Sequence, residues 1–199
     1  MTRVKLLSVI LLASLAGARG TVPQASAEDE AILRLRAFAV NMSGADGARA
    51  GTLEIAIERW STDEERDRLC ATLMENGADA LLWALQKAKP RAGYIRTSSS
   101  LGWDIHYARE EPVGDGGRRV IIATDRPMRL WELWNQTRSV EYDFMLAEIR
   151  LNKDGKGEGK LATAAKIRWD AGTNTIEIEN YGIEPVRLTE VQVEGSKSK

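Results

Sequence analysis

His106 is the only histidine among the 199 residues, and it stands in the run Trp103-Asp104-Ile105-His106-Tyr107. Imidazole is the side chain best suited to move a proton near neutral pH, and a neighbouring carboxylate can orient it. Asp104 is the candidate orienter. On a strand, period two puts Asp104, His106 and Ala108 on one face and Trp103, Ile105 and Tyr107 on the other. Side chains two apart lie about 6.5–7 Å apart along a strand, so direct contact is marginal. The chemistry would be that of a hydrolase or isomerase, with Glu132 or Glu141 as a further carboxylate. No third positioned group can be named, and an ordinary hydrogen-bonded histidine is the plainer reading.

The other reactive side chains offer less. Cys70 could be a nucleophile paired with His106, but it falls in mid-helix beside Leu69, Leu73 and Met74, where a thiol behaves as a small hydrophobe. One histidine and one cysteine cannot supply the usual transition-metal ligand set, so no metal and no cofactor is expected. Asn152-Lys153-Asp154-Gly155-Lys156-Gly157-Glu158 has calcium-loop residues at positions one, three and six. Lys156 and Thr163 then stand at five and twelve, where the loop needs an acid. Its G-x-G-x-G opens no helix and so is no phosphate cradle. Ser98-Ser99-Ser100 lacks the G-x-S-x-G elbow and reads as a loop.

Two places are better candidates for binding. Thr124-Asp125-Arg126-Pro127 ends an apolar strand, where Asp125 and Arg126 could line a site, although capping a following helix is a sufficient task for Asp125. Trp131 and Trp134, beside Leu130 and Leu133, could anchor a ligand or partner, or simply pack in a core.

The elements that must position these residues are mostly strands. Apolar alternation marks nine, near 31–42, 52–60, 92–97, 102–110, 118–124, 139–151, 159–169, 173–180 and 185–193. Short Gly- and Asp-rich turns separate them, among them 43–47, 114–117, 154–157 and 171–172, which favours antiparallel neighbours. Ser61 and Glu64 form a capping box at the start of a helix. Gly77 ends that helix, and a second follows with Leu81, Leu82 and Leu85 as its apolar stripe, stopping before Pro90. A short third helix fits 127–135. The fold class is α+β: a large antiparallel sheet of about nine strands, curled toward a partial barrel, with a helix pair inserted after the second strand.

The N-terminus reads as a secretory signal peptide over residues 1–27. Arg3 and Lys5 precede the apolar run Leu6–Ala18, and Ala25-Ser26-Ala27 is a small-x-small cleavage site. Ala16-Gly17-Ala18 offers an earlier one. Residues 28–194 then form a single domain, and 195–199 a disordered tail. The leader holds three of the 28 basic residues and none of the 29 acidic ones, leaving a formal charge of −4. That balance argues against nucleic acid as a partner. No later run is long enough for a membrane helix, and one cysteine excludes an internal disulfide.

Glu58-Arg59-Trp60-Ser61-Thr62-Asp63-Glu64-Glu65-Arg66, Gly93-Tyr94-Ile95-Arg96 and Ala123-Thr124-Asp125-Arg126-Pro127 resemble segments of a family of exported bacterial proteins of unknown function. Gly155-Lys156-Gly157-Glu158-Gly159-Lys160-Leu161 and Ile178-Glu179-Asn180-Tyr181 resemble the same family. The resemblance implies a periplasmic or extracellular single domain and no particular activity. Three functions are open at this point. The first is a non-catalytic binding or envelope-associated structural module, with a protein or small-molecule partner. The second is a carrier holding a small molecule in a cup of the sheet. The third is the enzyme built on Asp104 and His106.

Overall fold

Alternating apolar residues become strands in all nine expected places. The computed structural model describes residues 31–41, 49–98, 100–126, 143–173, 175–180 and 184–194. The segments expected to be a leader, a turn at 43–47, a helix at 127–135 and a tail at 195–199 lie outside them. The strands are β1 (Leu33–Asn41), β2 (Arg49–Ile57), β3 (Gly93–Thr97), β4 (Trp103–Ile105) and β5 (Tyr107–Val113). They continue with β6 (Gly117–Thr124), β7 (Phe144–Leu151), β8 (Lys156–Asp170), β9 (Thr175–Asn180) and β10 (Val186–Val193). In β1 the period is plain: Leu33, Leu35, Ala37 and Ala39 are buried, with Arg36 and Phe38 exposed between them.

The strand order is β4-β3-β2-β1-β10-β8-β7-β6-β5, with β9 paired to β8, and every pairing is antiparallel. The two ends of that order, β4 and β5, are consecutive in the chain and separated only by His106. They are halves of one bent strand, so the sheet curls into a nearly closed barrel. Side chains fill its interior. Leu35, Leu53, Ile55, Ile95, Ile105, Ile122, Met145 and Ile149 come from six strands, β1 to β4, β6 and β7, and none is more than 1% exposed. A wall of about eight strands leaves an interior just wide enough for such side chains.

The glycine-rich turn has its explanation here. A Cβ on Gly157 would stand 1.8 Å from the Arg150 carbonyl oxygen. Gly157 therefore lets β8 press against β7 as the sheet bends.

One kinked helix, α1 (Asp63–Lys87), follows β2 in the chain. Its cap is Thr62 with Glu65, not Ser61 with Glu64. The Glu65 N–H donates to the Thr62 hydroxyl at 3.2 Å, and the Thr62 N–H donates to the Glu65 carboxylate at 2.9 Å. Gly77 adopts φ 81° and ψ −173°, non-helical values that kink the element, so the expected pair is present as two helical stretches joined at Gly77 within α1. Leu73, Leu81 and Leu85 are buried against Phe144, Ala162, Ala165 and Ile167 on the outer face of β7 and β8. Burying each leucine stabilises the packing by roughly 1.5–3 kcal/mol.

Candidate functional site

His106 marks the place where one strand changes partners. The carbonyl of Ile105 accepts from Ala92 N–H beside β3, at 2.7 Å, whereas His106 N–H donates to Ala123 of β6, at 3.1 Å. Ile105 and Ala108, three residues apart, are both fully buried. The alternation has therefore slipped by one residue, as a bulge would make it. The face assignment expected from strict period two fails here, because Ile105 and Ala108 share the core.

The His106 side chain is 12% exposed, and its Nε2 stands 3.3 Å from Asp125 Oδ1. Its Nδ1 is buried and has no hydrogen-bond partner among the described residues. Asp104 does not orient the imidazole. It accepts from Arg91 Nη1 at 2.8 Å, and Arg91 also binds both oxygens of Glu58, at 3.0 and 2.7 Å. These two carboxylates, Glu58 above all, hold the Arg91 guanidinium above the usual arginine range. The structure thus replaces the expected Asp104–His106 pair with His106–Asp125, two residues brought together by strand pairing.

Thr124 is buried, and its hydroxyl donates to the Arg126 carbonyl at 2.7 Å, closing a turn that leaves Arg126 exposed. Trp131, Trp134, Glu132 and Glu141 lie outside the described residues. Cys70 is half-buried on α1 on the Tyr107 side, and burial raises the Tyr107 hydroxyl above its ordinary range. Among the described residues, no group of three or more His, Cys, Asp or Glu side chains is placed to hold a metal ion.

The segment joining β2 to α1 straps the seam, residue by residue. Glu58 holds Arg91, and Glu58 N–H donates to the Ala92 carbonyl at 2.8 Å. Arg59 donates to the Pro90 carbonyl at 2.8 Å and pairs with Glu65 at 2.9 Å. Trp60 packs against the barrel core. Ser61 N–H donates to the Ala108 carbonyl at 2.7 Å, and Ala108 N–H returns a bond to the Ser61 hydroxyl at 3.2 Å. Thr62 caps the helix. The Arg59 guanidinium, with the Thr62 N–H, holds the Glu65 carboxyl below its usual value despite partial burial. The run Glu58-Arg59-Trp60-Ser61-Thr62, singled out in the sequence for its resemblance, is thus a fastening between helix and seam.

A cleft of about 480 Å³ opens beside this strap, at the barrel end where β5 turns into β6. Trp60, Ser61, Arg109, Glu110, Pro112 and Arg118 line it, together with Gly116 and Gly117. Arg118 Nη1 pairs with Glu110 Oε1 at 3.0 Å across its floor. Arg109 Nη1 pairs with Asp63 at 2.7 Å, and its Nε stands 3.5 Å from Glu111. A second, shallower opening of about 580 Å³ lies over the β7–β8 turn, between Arg150, Asn152, Lys153 and Glu158. Sequence reasoning missed the cleft because its residues come from segments some fifty positions apart. The one available signal was a tryptophan set two residues before a helix cap.

No family model matches the chain, and neither the curated proteins nor the solved structures contain a match to it.

Proposed function

We propose that this is an exported, non-catalytic binding or envelope-associated structural module, allied to the uncharacterised exported bacterial proteins that it resembles. One observation carries the non-catalytic reading. Nε2 of the only histidine stands 3.3 Å from Asp125 Oδ1, and its Nδ1 is buried with no hydrogen-bond partner among the described residues. A general base needs one nitrogen held and the other presented to the reacting group. The interior filled by aliphatic side chains supports this reading over a carrier with an internal cup. Among the described residues no helix is long and apolar enough to cross a membrane. Export itself rests on the leader, and N-terminal sequencing of protein from the native compartment should begin at Glu28, or at Arg19 if the earlier site is cut. Recovery of Met1 would overturn it.

The non-catalytic reading is tested by complementing a deletion strain with His106→Gln and Cys70→Ser proteins whose folding is verified by circular dichroism. Both should restore the phenotype fully. A folded His106→Gln protein that fails to complement would make the histidine a working residue and return the enzyme reading.

A further inference from the structure

We propose that the cleft beside Trp60 binds a neutral, polyhydroxylated ligand of the saccharide class. This deepens the binding-module reading and rests on it. The volume of about 480 Å³ lies within the usual range of small-ligand sites. Trp60 is half-buried, with part of its indole in the core cluster and part on the cleft wall. An indole anchored in this way offers an apolar face to the C–H surface of a sugar ring with little side-chain entropy left to lose.

The charges in the cleft select against an anion. Arg118 is matched by Glu110 at 3.0 Å, and Arg109 Nη1 by Asp63 at 2.7 Å, while the buried Arg109 Nε stands 3.5 Å from Glu111 without a hydrogen bond among the described residues. An anionic ligand would have to displace a carboxylate already in place, or sit beside Glu110 and be repelled. A purely apolar ligand would strip water from the Arg118–Glu110 pair and return no hydrogen bond. Hydroxyl groups avoid both costs. Arg118 keeps N–H donors beyond the one given to Glu110, and the Glu110 carboxylate keeps spare lone pairs. A donor and an acceptor side by side match adjacent hydroxyls, each of which can accept and donate, so the ligand adds to the ion pair without breaking it.

The site is also held in place before a ligand arrives. Ser61 ties the residue after Trp60 to β5 by two hydrogen bonds. Glu110 and Arg118 stand on paired strands, with Glu110 opposite Val120 in the register. Such fixing lowers the ordering cost of binding.

Isothermal titration of the full mature chain with maltotetraose, cellotetraose and chitotetraose tests the proposal, with tetragalacturonate as the anionic comparison. At least one neutral tetrasaccharide should bind with Kd about 1 mM or tighter. Trp60→Phe, Glu110→Gln and Arg118→Met should each weaken it by roughly tenfold or more in folded protein, whereas Trp83→Ala, on exposed α1 surface, should leave it intact. Glu110→Gln keeps the size of the original side chain, and Trp60→Phe, smaller than the indole that packs against the core, is read only in protein shown to be folded by circular dichroism, so loss of the fold does not cloud the result. Absence of binding by all three neutral probes, preference for tetragalacturonate, or binding indifferent to the three cleft variants would overturn the proposal. Chromatography of the titrated sugars separates the two levels. Cleavage products would leave the site standing and refute the non-catalytic reading. A complementing protein that binds no sugar refutes the site alone.

Discussion

The outer surface of the barrel is built in two ways. Under α1 it is apolar: Phe144, Leu146, Ala162, Ala165 and Ile167 meet Leu73, Leu81 and Leu85. Over β1 to β4 no helix of the described residues covers it, and it is latticed with charge. Arg36 pairs with Glu194 at 3.0 Å, Arg96 with Glu54 at 2.7 Å, and the Tyr94 ring lies between Arg91 and Arg96, at 5.3 and 5.4 Å. The covered wall would be an adhesive patch without its helix, whereas the charged wall satisfies itself in water. The difference teaches that α1 is a structural cover, and that ligand contact belongs to surfaces the helix leaves open.

That contrast sets an order of expected effects. Leu85→Ala, under the helix, should destabilise the whole domain by about 2–5 kcal/mol in urea unfolding, as buried leucine truncations do. A loss below about 1 kcal/mol would mean that the helix is only loosely docked. At the seam, Ser61→Ala removes the partner of the buried Ala108 N–H and should cost about 1–3 kcal/mol. Thr62→Ala should cost about 1 kcal/mol through the lost cap, with Glu64→Ala nearly silent beside it. If Glu64→Ala proved the costlier of the two, the cap assignment would be wrong. On the charged wall, Glu54→Ala should stay below about 1 kcal/mol, because exposed ion pairs are worth little.

Acid should loosen the fastening. The folded Glu65 carboxyl lies below its usual value of 4.5, so its contribution is complete above that value. It is lost as pH falls through the lowered folded value. Glu65→Gln should therefore flatten the acid limb of a plot of Tm against pH, chiefly below about pH 4.5. An unchanged limb would show that the Arg59–Glu65 contact does not persist in solution.

Much of this architecture was legible in the residues, and the reasons differ by region. Every expected strand was found because one face of each meets the core, and that writes period two into the sequence. The division of one strand at His106 was not legible, because a slip of one residue between Ile105 and Ala108 looks like ordinary alternation until its partners are known. Ser61 and Thr62 both precede a glutamate by three, so composition alone could not choose the cap. Asp125 is legible as a site candidate, but its contact with His106 is not, because only the pairing of β5 with β6 brings the two together, and the helix it could cap lies outside the described residues. Closure of the sheet and the Trp60 cleft arise only from contacts between distant segments, which no local pattern records.

Native-state hydrogen exchange tests most directly the claim that the seam is a structural closure. The amides of Ser61, His106 and Ala108 each donate a hydrogen bond across or beside it. If the strap and the bent strand close the barrel, these three amides should exchange as slowly as the central amides of β1 and β2, by global unfolding. Rapid exchange at all three, with the rest of the sheet protected, would show a seam that opens in the native state. It would contradict the structural role assigned to His106.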